Sequence, residues 1–164
     1  DGFVASCHGV IARIAPPVRV EDITHDVPPR DIRHGAAVLA QTVPYLPRSV
    51  VVGVVDPGVG TSRRAIALAA GEIILVGPDN GLLLWAADAA GGASAAVELD
   101  EPGFLLNVSA RTFAGRDVFA PAAAHLASGV PLAALGPALV VDDLAGKTVL
   151  FETGIGAFFD PKLR

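Results

Sequence analysis

Apolar residues along this chain recur at two different spacings, which together predict a mixture of helices and strands. Four segments carry apolar residues three and four positions apart, the spacing that places them on one face of a helix. Pro16 and Pro17 end the first of these segments, and Asp31 is placed to cap the second. The predicted helices cover residues 2–15, 32–42, 82–90 and 118–128.

The predicted strands are short and apolar or alternating. They cover residues 18–23, 50–55, 65–70, 72–76, 95–99 and 147–151. Gly71 separates the third strand from the fourth so closely that the two predict a hairpin. Because strands and helices alternate along the chain, the expected fold class is α/β, with a largely parallel sheet flanked by helices.

The most informative polar residues follow the predicted strand 50–55. The strand stops at Asp56-Pro57-Gly58, so a carboxylate is delivered on a glycine-rich loop at the carboxyl end of a central strand. Ligands bind at that edge in open α/β sheets. Arg63 and Arg64 follow within one loop length, and either could fold back over Asp56. A strand-ending turn with a solvated ion pair explains the same residues equally well.

Composition narrows the classes of function. The 164 residues fit one domain, and 52% of them are hydrophobic against 18% charged, which favours burial in an oligomer. A net charge of −5 with no basic stripe argues against nucleic acid, and no apolar run is long enough to span a membrane. Cys7 is the single cysteine, so an internal disulfide and a zinc site are not expected, and a reducing cytoplasm is the default location. No cofactor or metal is expected.

Five segments, in order and in register, carry a resemblance to a known family. They are Asp-Ile-Thr-His-Asp-Val-Pro-Pro (22–29), Val-Val-Asp-Pro-Gly-Val-Gly-Thr-Ser-Arg-Arg (54–64), Val-Gly-Pro-Asp-Asn-Gly-Leu-Leu (76–83), Thr-Phe-Ala-Gly-Arg-Asp-Val-Phe-Ala-Pro (112–121) and Ala-His-Leu-Ala-Ser-Gly-Val (124–130). Together they resemble the S-adenosyl-L-methionine hydrolases, also called SAM hydroxide adenosyltransferases, which are relatives of the fluorinases and chlorinases.

The resemblance implies a domain organisation. Residues 1–144 are similar to the N-terminal α/β domain of the family, beginning just beyond its first strand, and nothing after Leu144 resembles the family's C-terminal β-barrel. Residues 145–164 form a tail of unclear origin that could supply an edge strand, with Glu152 at its end. The resemblance also implies a homotrimer in which the nucleoside lies between the N-terminal domain of one subunit and the C-terminal domain of its neighbour.

The resemblance implies a set of site residues as well. The family's hydrolases hold a water or hydroxide with an Asp-Arg-His set, and Asp56 and Arg63 match its first two members. The histidine position is occupied here by Ala114, which implies impaired activity. The implied substrate-binding residues are Asp1, Arg30, Gly58, Val59, Thr112, Phe113 and Gly115.

Two positions and one loop separate the branches of this family. Halogenases carry tyrosine where this chain has Asp56 and tryptophan where it has Arg30, and the fluorinase inserts a long loop where Gly71 joins two strands. The implied reaction is therefore hydrolysis of S-adenosyl-L-methionine to adenosine and L-methionine by water attack at the ribose C5′. A non-catalytic nucleoside-binding or assembly module with the same fold is the alternative, and a halogenase is disfavoured.

The remaining polar residues are interpreted as structural. Asp79-Asn80-Gly81 has the composition of a tight turn. Arg64 is expected to be either solvated or paired with a carboxylate, and Arg116 is expected to pair with Asp117. None of the four histidines has a sequence-based claim to the vacant catalytic position. Val55 and Val59 are expected to form apolar walls of the pocket, and Phe113 is expected either to join them or to be an ordinary core residue.

Overall fold

The computed structural model describes residues 2–106 and 111–144. Asp1, the predicted strand 147–151 and the whole tail 145–164 lie outside the described residues. The helices are α1 (Phe3–Ile14), α2 (Ile32–Thr42), α3 (Leu84–Ala89) and α4 (Ala120–Ala127). The strands are β1 (Ser49–Val52), β2 (Ala65–Ala70), β3 (Ile73–Pro78), β4 (Ala93–Glu98) and β5 (Ala138–Leu139).

The predicted helices are present close to their expected bounds. At the start of α2 the Asp31 carboxylate accepts a hydrogen bond from the backbone N–H of His34 at 2.9 Å, so the predicted cap is confirmed. A cap of this kind contributes about 1 kcal/mol. The last predicted helix starts earlier than expected, because a π-helical turn, Gly115–Phe119, runs directly into α4.

The five strands form one sheet in the order β1-β3-β2-β4-β5. The α/β class is confirmed, but the expectation of a largely parallel sheet is wrong in its pairing, because only β1 and β3 pair in parallel and the other three pairs are antiparallel. The hairpin at Gly71, whose φ is 56°, inserts β2 between β3 and β4. Strands β1, β3 and β4 run in the same direction, as alternation with helices predicts, yet β3 and β4 are not neighbours.

The predicted strand 18–23 is not formed. No strand in the described part of the chain pairs with this segment, and Val20 and Ile23 are exposed. An alternating pattern forms a strand only where a neighbouring strand satisfies its backbone groups. Instead, side chains hold the segment, since Asp22 accepts hydrogen bonds from His8 of α1 at 2.9 Å and from His25 at 3.1 Å.

Those two histidines lead to a pH-dependent prediction. Hydrogen bonds from His25 and His8 lower the pKa of Asp22 below its ordinary value. The ionised carboxylate therefore stabilises the fold above the ordinary carboxyl pKa of about 4, and this contribution disappears as the pH falls through the lowered folded pKa. We expect the melting temperatures of the wild type and Asp22→Asn to differ at a pH above the ordinary carboxyl pKa and to converge as the pH falls below the lowered pKa of the folded state. A difference that persists unchanged at the lower pH would contradict this assignment.

The two faces of the sheet are covered by different helices. Leu68 and Leu75 point to the face where α2 and α3 pack, whereas Ala67 and Val76 point to the face where α4 packs. This division follows from the alternation of side chains along a strand. The α1 helix packs outside α4, so its first turn lies near the π-helical turn.

Two glycines bring the ends of β1 and β3 together. The N–H of Gly53 donates to the carbonyl of Val76 at 2.9 Å, which extends the pairing one residue beyond Val52. A Cβ atom on Gly77 would lie 2.3 Å from the carbonyl oxygen of Gly53, so only glycine permits this approach. The extension carries the chain to Asp56 at the carboxyl edge of the sheet.

Candidate active site

Asp56 and Arg63 form a mostly buried ion pair. The Arg63 Nε lies 3.0 Å from Oδ1 and 2.8 Å from Oδ2 of Asp56, and Nη2 also donates to Oδ2. The two side chains are only 5% and 15% exposed, respectively. The guanidinium lies over the ring of Phe119, 5.3 Å from its centroid. The structure thus brings together the two residues that the sequence placed in one site, and it selects Arg63 over Arg64.

The loop between them reverses through hydrogen-bonded turns. The Thr61 hydroxyl donates to the carbonyl of Gly58 at 2.6 Å and accepts from the N–H of Arg63 at 3.3 Å. Gly60 has φ +83°, a conformation that favours glycine. These turns return Arg63 to the carboxylate only seven residues after it.

A concave pocket of about 160 Å³ opens beside this pair. Its lining comes from the Asp56 loop, from α1 and from the segment that precedes α4. The lining residues are Phe3, Val54, Asp56, Val59, Thr112, Ala114 and Gly115. Five of these were expected from the sequence, including Ala114, which is 6% exposed and faces the same space as Asp56.

Other expected site residues occupy different places. Gly58 shapes the loop, since a Cβ there would lie 3.3 Å from the Cγ of Arg63. Phe113 is 47% exposed and lies between Phe3 and Arg116, with its ring centroid 6.1 Å from that of Phe3 and 5.0 Å from the Arg116 guanidinium. Arg30 precedes α2 with φ 70° and does not line the pocket. Asp1 lies outside the described residues.

Two pocket residues were missed. Val54 lines the pocket, whereas Val55, which was expected to form its wall, packs into the core against α2. The sequence signal that could have identified Val54 is the alternation of side chains along an extended chain, which places Val54 and Asp56 on the same side. No sequence signal identified Phe3; its ring reaches the pocket because Gly115 has no side chain, and a Cβ there would lie 3.0 Å from it.

The polar residues interpreted as structural form ion pairs or hydrogen bonds within the protein. Arg64 donates to Oδ2 of Asp79 at 2.8 and 2.6 Å, and Arg116 donates to Asp117 at 2.7 and 2.8 Å. Asn80 donates to the carbonyl of Val55 at 2.8 Å and accepts from the N–H of Leu82 at 3.1 Å.

The histidines and the cysteine lie away from the pocket lining. His125 contacts Phe104 edge-on, with 5.0 Å between ring centroids, while His8 and His25 share Asp22. Burial raises the pKa of the Cys7 thiol, which disfavours the nucleophilic thiolate.

Within residues 2–106 and 111–144 no three His, Cys, Asp or Glu side chains are grouped so that they could hold a metal ion. No helix there has the length and apolar character needed to cross a membrane.

Comparison with known proteins now identifies the class that this fold and site define. Residues 1–136 match the model of the SAM hydroxide adenosyltransferase N-terminal domain. The chain therefore belongs to that family.

Individual relatives agree with this assignment. The chain is 69% identical over 139 residues to the (R)-S-adenosyl-L-methionine hydrolase of Salinispora arenicola, covering 85% of this chain and 53% of that protein. It is 47% identical over 158 residues to the enzyme of the same name from Thermus thermophilus, covering 88% of this chain and 59% of the relative. A fluorinase of Actinoplanes sp. is 29% identical over 168 residues, covering 88% of this chain and 56% of that protein.

A solved structure shares the fold. The crystal structure of an uncharacterized conserved protein from Thermotoga maritima superposes with a TM-score of 0.80 at 38% identity, covering 85% of this chain and 54% of that one. The chain spans about half the length of the relatives it matches.

Proposed function

We propose that this domain provides the water-activating half of an active site that hydrolyses S-adenosyl-L-methionine to adenosine and L-methionine. The observation that carries the proposal is the buried Asp56–Arg63 pair, whose Asp56 lies in the wall of a largely apolar pocket. The names of the relatives at 47–69% identity support the same reaction.

The chemistry requires an activated nucleophile rather than an acid. The water oxygen forms a bond to C5′ as the C5′–S bond breaks, and the bonding electron pair neutralises the sulfonium as methionine leaves. The proton lost from water passes to Asp56 or to solvent, while the Arg63 guanidinium favours the hydroxide form. Charge is destroyed in this step, so the apolar walls at Phe3, Val54 and Val59 assist it. The reaction needs neither metal nor cofactor, and we propose that none takes part.

The pocket is too small for the whole substrate. Small-molecule sites usually enclose about 300 Å³ or more, against about 160 Å³ here. Val54, Val59 and Phe113 also leave apolar surface exposed around the site. We therefore propose that surfaces from outside this domain complete the nucleoside site, in a homotrimer as the family resemblance implies. The single cysteine is in keeping with a reducing cytoplasm as its location.

One observation favours a second candidate, a nucleoside-binding module without catalysis. Ala114 occupies the family's histidine position and offers the pocket only a methyl group. A halogenase is less well supported, because Asp56 and Arg30 differ from the halogenase residues and the fluorinase relatives are only 26–29% identical.

Incubation with S-adenosyl-L-methionine distinguishes these functions. The domain should be joined to the remaining parts of the Salinispora arenicola relative, and the products analysed by chromatography and mass spectrometry. We expect adenosine above the background rate, and a loss of that excess in Asp56→Asn. Binding without turnover would support the second candidate, whereas a 5′-halogenated adenosine formed with added halide would overturn the hydrolase proposal.

A further inference from the structure

The turn Asp79-Asn80 touches the neighbours of both site residues. Asn80 donates from Nδ2 to the carbonyl of Val55, the residue immediately before Asp56, at 2.8 Å. Asp79 accepts from the guanidinium of Arg64, the residue immediately after Arg63, and its N–H donates to the Arg64 carbonyl at 2.9 Å. One turn thus forms hydrogen bonds to the residues on both sides of the loop that carries the Asp56–Arg63 pair.

We infer that Asn80 is a positioning residue for the proposed active site, which holds the Asp56 carboxylate in register with the Arg63 guanidinium through the backbone of Val55. The inference deepens the proposed function and rests on it for its catalytic meaning. A tight turn into α3 alone would require only the bond that Asn80 accepts from the N–H of Leu82. The bond to Val55 spans 25 residues and joins two loops at the sheet edge, so the turn itself does not explain it.

Geometry explains why this bond controls the ion pair. The β1–β3 pairing ends with the bond from Gly53 to Val76, and the chain then runs to Asp56 without further strand pairing. Within the described residues, the Asn80 amide is the side-chain group that holds the Val55 peptide. Arg63 reaches both carboxylate oxygens, an arrangement that tolerates little displacement of the carboxylate.

Asn80→Ser separates the two roles of this side chain. A serine hydroxyl can still accept from the N–H of Leu82, but it is too short to reach Val55. The readout is hydrogen exchange of the Arg63 Nε–H by NMR, assigned by its absence in Arg63→Lys. We expect exchange to be at least tenfold faster in Asn80→Ser, and accelerated more than that of the Leu68 and Leu75 amides in the central strands.

Ser94→Ala is the matched control. The Ser94 hydroxyl donates to the carbonyl of Ala69 at 3.3 Å, again across 25 residues but away from the pocket. This variant should leave Arg63 exchange unchanged. Asn80→Asp also loses the donor and keeps the acceptor. If the serine variant does not fold, Asn80→Asp should show the faster Arg63 exchange expected of Asn80→Ser.

Two outcomes would overturn the inference. If Arg63 Nε–H exchange accelerates no more than that of the Leu68 and Leu75 amides, Asn80 contributes only to stability. If neither Asn80 variant folds, its role is global rather than local. The measurement requires no turnover, so a failure of the hydrolase proposal would leave its result intact, and a failure here would leave that proposal standing.

Discussion

Ala114→His should raise adenosine release by about 10²- to 10⁴-fold, the usual contribution of a positioned acid–base group. The measurement uses the domain joined to the remaining parts of the Salinispora arenicola relative. Ala114 lines the same pocket as Asp56 and immediately precedes the π-helical turn, so a longer side chain there projects toward the space where a water would lie. Its methyl group can neither hold the water nor move a proton.

Two further variants make this result specific. Asp56→Asn should abolish the gain, because members of one catalytic set do not act additively. Ala127→His places the same side chain on the exposed last turn of α4 and should leave the rate unchanged. If Ala114→His is no faster than the parent, residue 114 is not the vacant catalytic position.

Arg63→Met should lower the free energy of unfolding by about 3 to 5 kcal/mol, since it leaves the buried Asp56 carboxylate without its partner. The matched control is Arg19→Met. Arg19 pairs with Glu21 at 3.0 Å, but the two side chains are 86% and 71% exposed. A pair so well solvated contributes about 0 to 1 kcal/mol.

Urea unfolding of both variants measures this difference. Replacing both partners, in Asp56→Asn with Arg63→Met, should recover much of the stability lost in Arg63→Met, because no charge is then left buried. Equal losses in Arg63→Met and Arg19→Met would mean that the Asp56–Arg63 pair is solvated in solution, which is the structural alternative that the sequence left open.

Local features of the fold could be predicted because they depend on neighbouring residues. The Asp31 cap, the end of α1 before Pro16 and the hairpin at Gly71 each follow from backbone chemistry within a few positions. The same holds for the Asp56 carboxylate in the loop that follows β1. The ion pair of Asp56 with a nearby arginine was predictable as a possibility, since only seven residues separate the partners.

Contacts between distant segments could not be predicted in this way. The alternation of strands and helices along the chain correctly predicted that β1, β3 and β4 run in the same direction. It did not predict that β2 lies between β3 and β4. Two strands joined by a tight hairpin pair more directly than two strands joined through a helix. Residues 18–23 have a strand pattern and no neighbouring strand, so the pattern alone could not form one.

The sequence by itself determined the α/β class and the family, and it placed Asp56 and two arginines, Arg63 and Arg64, on one glycine-rich loop. Only the tertiary structure decided that Arg63 rather than Arg64 covers Asp56, because Asp79 holds Arg64 from across the sheet edge. It also placed Phe3 in the pocket and Asn80 behind Asp56. The contacts of Arg64 with Asp79, of Phe3 with Gly115 and of Asn80 with Val55 join residues 15 or more positions apart in the chain. Packing and hydrogen-bond geometry, rather than local residue preference, select the partner in each of them.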